Sequence, residues 1–585
     1  MIEDLVVGLA GSGGDGVVSA GESLLAAASA QGFHALMTKS FGSQIRGGES
    51  SCRVRLSTRK VLNPGGALDV AVALNWEDFR RFGAELPVGP ETVLVHEAKA
   101  GPPPADFAPA DRMPREVIGV PLAELAKASA GTDRAKMTVV LGALAGWFGL
   151  PRDGLDRGLQ KKFAQKGEGL LEANRKALAR GVAFAVEHPL VSPRTLTLPI
   201  RGSPKVICDG NEMCASAAIF SGCEFFGGYP ITPSTEVMQI LARELPRHGG
   251  VVLQAEDEIS GVGAAVGASF AGKKSMTATS GPGMSLKTEV LGLASLAELP
   301  LVLLDVQRGG PSTGIPTKPE QSDLFAAAFS AHGDVLRPVL APTSVEDTFR
   351  VTVEAFNLAE RYQTPVMILS DQEIAQRKET VDPIDVSRFE LVERIRPTPE
   401  QLAAGHQRFS ATPSGVSPIS HPGMEGGNYL AAGIEHDVRG APTASGAVHA
   451  AMNEKRFRKL APLQERADLF EIQGAANAPL VLVSWGSSAG VAREAFALAR
   501  ARRLPVKLLV PTLLYPVAEP VFRTFFAGVQ AGLVLELSHQ GQLYRLLRMF
   551  VDVPRGVTSF ARSGAQPFRV DEVVQRLAQA AETLR

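Results

Sequence analysis

The sequence predicts an α/β protein built from several parallel-sheet domains. Three observations carry that expectation: near-continuous apolar strand runs such as LPLVLLDV and APLVLVS, helical runs between them, and glycine or proline at the joins. At 585 residues the chain exceeds what one hydrophobic core supports, and roughly 150 residues per domain gives about three or four units.

The elements follow in order. Residues 1–190 open with the strand EDLVVGLAG, turn through glycines, and continue with the helical run GESLLAAASAQG and the strands SSCRVRLS and LDVAVALN. The stretch around 191–204 is proline-rich and reads as a linker. Over 205–375, helices alternate with the β-rich runs SMTATSGPG, LPLVLLDVQRGG and YQTPVMILSD, which favours a parallel sheet covered on both faces. Residues 376–470 are rich in Pro, Gly and His with weak periodicity, the pattern of a connector. A last β-α-β series occupies 471–585.

Composition narrows the function classes. A net charge of -1 gives no electrostatic reason to expect nucleic acid or an anionic membrane as partner. The sequence has no run of eighteen apolar residues and no cationic, apolar opening, so a cytoplasmic enzyme is expected. Cys52, Cys208, Cys214 and Cys223 form no C-x-x-C pair and match no zinc or iron-sulfur spacing, which suits reduced, buried thiols. His332, Asp334, His421, His436 and His449 likewise fit no metal site. Any iron in an electron-transfer reaction would have to sit in another chain.

The glycine-rich start spells Gly11, Ser12, Gly13, Gly14, Asp15 and Gly16 between a strand and a helix, a cradle in which free backbone N–H groups and the helix dipole attract phosphate. A nicotinamide-dependent dehydrogenase is one reading, but the acidic residue expected about 20 positions on is missing from ALMTKS. Gly14-Asp15-Gly16 also opens a thiamine diphosphate metal motif, without the closing asparagine pair. What remains is a phosphate loop, with Ser43 and Arg46 of SQIRGG downstream, or a tight turn that only packs helix on strand.

Three further motifs carry chemistry. QAEDEISGVGAAVGAS offers Glu256, Asp257 and Glu258 at the start of a small-residue helix, as catalytic acids or as complements to the helix dipole. Arg308 follows an apolar strand, where open α/β sheets place ligands, and a guanidinium there can clasp a carboxylate; a solvated turn arginine is the alternative. In GGYPITPSTEV, Pro230 and Pro233 stiffen a loop, and Ser234 or Thr235 can cap the helix that follows, with Glu236 near its N-terminus. TSGPGMS shapes a wall or a plain turn.

These motifs, together with VQRGGPSTGIPTKPEQSD, resemble the α subunit of 2-oxoacid:ferredoxin oxidoreductases, and the first region resembles the γ subunit of the same enzymes. The resemblance implies oxidative decarboxylation of a 2-oxoacid on thiamine diphosphate, acyl transfer to coenzyme A, and electron delivery to ferredoxin. It further implies a β subunit that carries the diphosphate site, Mg2+ and a [4Fe-4S] cluster, in an α2β2 assembly. By position, Glu258 would activate thiamine diphosphate, Thr232 and Arg308 would face the substrate, and Tyr229, Pro230, Ile231, Ser280 and Gly281 would line the cofactor. The Gly11–Gly16 loop, with Ser43 and Arg46, would hold coenzyme A. The fused arrangement leans toward 2-oxoglutarate; pyruvate and branched-chain 2-oxoacids stay open.

Overall fold

The computed structural model describes residues 1–42, 48–199, 203–565 and 567–584. The chain forms two units, residues 1–209 with 377–384, and residues 210–376 with 385–585.

In the first unit, β1 (Asp4–Gly11), β2 (His34–Phe41), β3 (Ser50–Ser57), β4 (Val70–Ala73), β5 (Val93–Glu97), β6 (Glu116–Val120) and β7 (Val206–Cys208) form one sheet with a returning strand, Lys378–Val381. Its order is β6-β5-β4-β1-β3-β2, then Lys378–Val381, then β7. The β6 to β1 half is parallel, whereas β3 runs antiparallel to both β1 and β2. The helix α1 (Val17–Gln31) therefore joins two strands that are separated by a third, so β1 and β2 do not make the adjacent parallel pair of a dinucleotide fold. That topology removes the nicotinamide reading of the glycine loop.

The second unit holds two sheets. One is formed by β8 (Phe225–Gly228), β9 (Val251–Gln254), β10 (Ser275–Thr279), β11 (Leu301–Gln307), β12 (Val339–Leu340) and β13 (Pro365–Asp371), in the order β12-β13-β11-β10-β8-β9 and parallel throughout. With Lys378–Val381 counted as β14, the other comprises β15 (Phe470–Gln473), β16 (Leu480–Ser484), β17 (Val506–Pro511), β19 (Ala531–Glu536) and β20 (Gly556–Ala561), in the order β15-β17-β16-β19-β20. The strand between them in sequence, β18 (Leu513–Tyr515), leaves the C-terminal series and pairs antiparallel with β12. One apolar cluster, with Phe226, Leu303, Trp485 and Phe522 among its members, spans both sheets, and a second, with Leu482, Leu508 and Leu535, lies within the C-terminal region. The 205–375 and 471–585 regions, read from sequence as separate domains, thus share a core while the latter keeps one of its own.

The 376–470 stretch is pinned by buried charge more than by an apolar stripe. Arg394 pairs with Glu360 at 2.6 Å and donates to the carbonyls of Ser269 and Lys273, and Arg408 donates to the carbonyl of Glu298 at 2.7 Å. Its first residues do something else, since Lys378–Val381 belong to the sheet of the first unit.

Candidate active site at one edge of the second sheet

Parallel strands deliver their following residues to the same edge. From β8 the chain passes into Tyr229–Ser234, from β10 into Ser280 and Gly281, and from β11 into Arg308. The motifs picked from sequence therefore meet because of strand direction.

In the first of these loops Tyr229 and Thr232 are exposed, while Pro233 and Ser234 are buried. Asn211 Nδ2 donates to the Pro233 carbonyl at 2.9 Å, and Arg308 Nη1 donates to the Thr232 carbonyl at 2.5 Å. The Thr232-Pro233 peptide is cis. Thr232 Oγ1 makes no hydrogen bond among the described residues and is open to solvent. The capping expectation needs correcting. Ser234 stands at the N-cap of α2 (Thr235–Glu244), but its backbone is already helical and its hydroxyl donates back to the Ile231 carbonyl at 3.0 Å. Glu236 accepts from Gln376 Nε2 at 2.9 Å and from Asn211, tying the helix start to its neighbours.

The three acids of the QAEDE run now separate. Glu256 is exposed, and Asp257 is the N-cap of α3 (Glu258–Phe270), accepting the Ser260 N–H at 2.8 Å in a capping box. Only Glu258 is buried, at 8 % exposure, and its carboxylate has no hydrogen-bond partner among the described residues. It lies over the first turn of α4 (Gly281–Leu296), where a Cβ on Gly283 would come within 2.8 Å of Glu258 Cγ and 2.1 Å of Thr279 Oγ1. Gly283 is thus the residue that makes room for the carboxylate. One turn further along α4, Lys287 Nζ donates to the Glu258 carbonyl at 3.0 Å and to Thr277 Oγ1 at 3.2 Å. Burial pulls this lysine down to about 8.

Arg308 is 7 % exposed, and its Nε is buried without a partner. Two carboxyls lie close enough for their charges to act on it: Asp305, three residues back toward the strand interior, and Asp323. Among the described residues, both Asp305 oxygens and Oδ2 of Asp323 lack hydrogen-bond partners. Burial and the nearby Asp323 raise Asp305 well above the carboxylate range, while burial and Glu320 push Asp323 up to about 7. A Cβ on Gly281 would meet the Asp323 carboxyl at 2.8 Å, so this pair borders the cofactor wall expected at Ser280 and Gly281. Ser280 is fully buried, and its hydroxyl is also unpartnered.

Sequence reasoning did not find Gly283, Lys287, Asp305 or Asp323. A signal existed for Asp305, because a carboxylate inside the apolar strand LVLLDVQ is costly unless something compensates it. For Asp323 there was none.

The glycine loop of the first unit has its own geometry. Gly14 and Gly16 sit at φ +92° and +85°, and nothing lies within 4 Å of a Cβ on Gly14. The first turn of α1 has neither a side-chain cap nor an acidic residue, which leaves its amides open to an anion. Two residues of the loop are already engaged: Asp15 accepts the Ser12 N–H at 2.9 Å and pairs with Lys136 at 2.6 Å, and the Ser12 hydroxyl donates to Asp78. Ser43 and Arg46 lie outside the described residues.

Of the histidines flagged from sequence, His332 and His449 line one cavity. That cavity, of about 290 Å³, is lined by Glu289, His332, Asp334, Glu435, His449 and Arg456, but Glu435 already pairs with His449 at 2.6 Å and Arg456 at 2.5 Å. Among the described residues no group of three or more His, Cys, Asp or Glu could hold a metal ion, and no helix is long and apolar enough to cross a membrane. All four cysteines are buried thiols, and burial pushes Cys52, Cys214 and Cys223 up to about 12.

A buried carboxylate over a glycine-opened helix start and a buried guanidinium thus follow strands of one parallel α/β sheet. Residues 216–455 match the family described as pyruvate flavodoxin/ferredoxin oxidoreductase, thiamine diphosphate-binding, and residues 6–184 match pyruvate ferredoxin/flavodoxin oxidoreductase. The chain is 36 % identical over 335 residues to the 2-oxoglutarate synthase subunit KorA of Methanocaldococcus jannaschii, covering 57 % of this chain and 88 % of that protein. It is 31 % identical over 544 residues to the 2-oxoglutarate oxidoreductase subunit KorA of Mycobacterium tuberculosis, covering 86 % and 80 %. A solved 2-oxoglutarate:ferredoxin oxidoreductase from Magnetococcus marinus, with 2-oxoglutarate, coenzyme A and succinyl-CoA bound, superimposes with a TM-score of 0.93 at 36 % identity, covering 99 % of this chain and 100 % of that one. The chain belongs to the 2-oxoacid:ferredoxin oxidoreductase family, and is part of an oxidoreductase enzyme.

Proposed function

We propose that this chain is the γ-α fused subunit of a cytoplasmic 2-oxoglutarate:ferredoxin oxidoreductase. It would convert 2-oxoglutarate and coenzyme A to succinyl-CoA and CO2, passing two electrons to ferredoxin. A β subunit would complete the α2β2 enzyme with the diphosphate site, Mg2+ and a [4Fe-4S] cluster. The observation that carries the proposal is Glu258, a buried carboxylate left without a partner on the same sheet edge as Arg308. The 2-oxoglutarate assignment is supported by the names of the similar KorA subunits and by the ligands of the Magnetococcus enzyme.

When bound, thiamine diphosphate supplies a carbon nucleophile for the 2-oxoacid carbonyl and an electron sink for the loss of CO2. The chain's own residues prepare for it. Glu258, cleared by Gly283, holds a proton at the aminopyrimidine ring nitrogen; Tyr229, Pro230, Ile231, Ser280 and Gly281 form the wall. Arg308, fixed on the Thr232 carbonyl, presents its remaining N–H groups to the substrate carboxylate, with the Thr232 hydroxyl opposite. In the first unit, the Gly11–Gly16 amides take a coenzyme A phosphate. Exposed apolar side chains around the site, at Tyr229, Ile259 and Leu286, suit coverage by a partner chain.

The test is Glu258→Gln in the chain co-expressed with its β subunit, with coenzyme A-dependent reduction of a low-potential dye as the readout. Turnover should fall by about 10² to 10⁴-fold, the range for a positioned acid or base, while thiamine diphosphate still binds. Full turnover in Glu258→Gln would refute the assignment, and faster turnover of pyruvate or a branched-chain 2-oxoacid than of 2-oxoglutarate would refute the substrate.

A further inference from the structure

Open α/β sheets carry their ligand crevice at the carboxyl ends of the strands where the strand order reverses. In the C-terminal sheet that point lies between β16 and β19, because β17 continues on one side and β20 on the other. The crevice is filled by a residue of this chain. Gln321 is fully buried there: its Nε2 donates to the Trp485 carbonyl at 2.8 Å, and its Oε1 accepts from the Leu537 N–H at 2.8 Å and the Ser488 hydroxyl at 2.7 Å. Its backbone N–H donates to the Leu537 carbonyl at 2.6 Å. Gly486, at φ +56°, has no room for a side chain, since a Cβ there would lie 2.5 Å from Gln321 Nε2.

Gln321 sits near the end of the loop that leaves β11. The loop starts after Arg308, folds on itself through Gly309 N–H to the Lys318 carbonyl and Ile315 N–H to the Gly309 carbonyl, and closes at Asp323, whose N–H donates to Gln307 Oε1. Flanking bonds tie it to the same sheet: Glu320 accepts from the Gly310 and Gly564 N–H groups, and Gln542 Nε2 donates to the Ser322 carbonyl at 2.6 Å. Both ends of the loop thus carry residues of the candidate active site.

We infer that Gln321 is a positioning residue: seated in the ligand crevice of the C-terminal sheet, it anchors the 309–323 loop and thereby fixes Arg308 and Asp323 for the 2-oxoacid. The C-terminal region then serves substrate recognition without touching substrate. The inference rests on the Arg308 reading above, and the two fail in different experiments.

Gln321→Ala, Ser488→Ala, Arg308→Met and the Gln321→Ala/Arg308→Met double variant are made in the complex with its β subunit. For Gln321→Ala, amide hydrogen exchange across 309–323 should accelerate, and KM for the 2-oxoacid should rise by about tenfold or more, with thiamine diphosphate affinity within about twofold. Ser488→Ala, which removes one bond and spares the fold if Gln321→Ala does not, should raise KM by about two- to fivefold. Because Gln321 acts through Arg308, its substitution should add less than about twofold in the Arg308→Met background. Unaltered exchange across 309–323 in both Gln321→Ala and Ser488→Ala would overturn the anchor, and full additivity in the double variant would overturn its action through Arg308. An unaltered KM in Arg308→Met alone would instead sink the Arg308 reading, and the catalytic half of the inference with it.

Discussion

Two buried charge clusters in the second unit, one a carboxylate among three cations and the other a guanidinium between two carboxyls, are finished differently. Around Glu298, fully buried at φ +53°, Lys455 Nζ sits at 2.5 Å and Lys459 Nζ at 3.0 Å, while Arg408 donates to the Glu298 carbonyl and Lys459 to the Gln363 carbonyl. Desolvation alone would raise Glu298, but the three cations beside it prevail and hold the carboxylate well below its usual range. Around Arg308 the balance is reversed: Asp305 and Asp323 are raised, and carboxyl oxygens are left without partners among the described residues. Isolating charge from water is costly unless it is paired and hydrogen-bonded. The completed cluster staples residues 408, 455 and 459 onto the end of α4. The incomplete one keeps capacity for a ligand, which is where perturbed groups gather in enzymes.

The largest expected effect that tests this contrast is Glu298→Ala. Stranding three buried cations should cost about 3 to 5 kcal/mol of stability by denaturant titration, with kcat/KM within about twofold while the enzyme stays folded. A collapse of kcat/KM in folded enzyme would erase the distinction. Next comes Arg308→Met. Losing charge-assisted bonds to a carboxylate should lower kcat/KM by about 1.5 to 3 kcal/mol, roughly 10- to 150-fold, with little change in stability.

The smallest effect is in the pH dependence of stability, where the two clusters have opposite signs. A carboxyl whose folded pKa lies above its unfolded value binds a proton more readily when folded, so it lowers stability as pH rises through that interval. For Asp323 this interval runs from about 4, the unfolded value, to about 7. Asp305, raised with it, contributes the same sign. Glu298 is depressed, so its contribution is complete above about 4.5 and is lost as pH falls below that. Asp323→Asn should therefore flatten the slope between about pH 4 and 7, by at most ~1.4 kcal/mol per pH unit, and leave the acid limb in place. Denaturant midpoints measured across pH 3 to 8 check this; an unchanged slope would deny Asp323 its proton.

Legibility in the sequence followed physical cause. Parallel strands buried on both faces announce themselves as apolar runs, so the strand ends that carry Ser280 and Arg308 could be placed from the sequence, whereas the four-residue strand before Tyr229 could not. Strand direction has no such signature, and SSCRVRLS gives no hint that β3 runs against both of its neighbours. Nor does a three-residue strand declare its sheet, which is why β18 was read with the C-terminal series. Periodicity failed over 376–470 because buried ion pairs fasten that stretch, and lysines such as Lys455 and Lys459 look like surface in a sequence. The residues alone left the three acids of the motif open and the resemblance pointed to Glu258; in the structure Glu258 is the buried one of the three, and Asp257 is the cap.

The strand Lys378–Val381 has a consequence for how the protein is made. The Thr380 hydroxyl donates to the Phe33 carbonyl at 2.9 Å and accepts the Ala35 N–H at 2.7 Å, and the same strand separates β2 from β7. A ribosome releases the second sheet, from β8 to β13, before it releases the residues that complete the first. Until then the nascent chain carries an open β2 edge, of the kind that recruits other chains. Translation halted just after Asp371 would yield an N-terminal sheet two strands short, because β7 pairs only through the missing strand, so the earliest part of this polypeptide to emerge is among the last to be sealed.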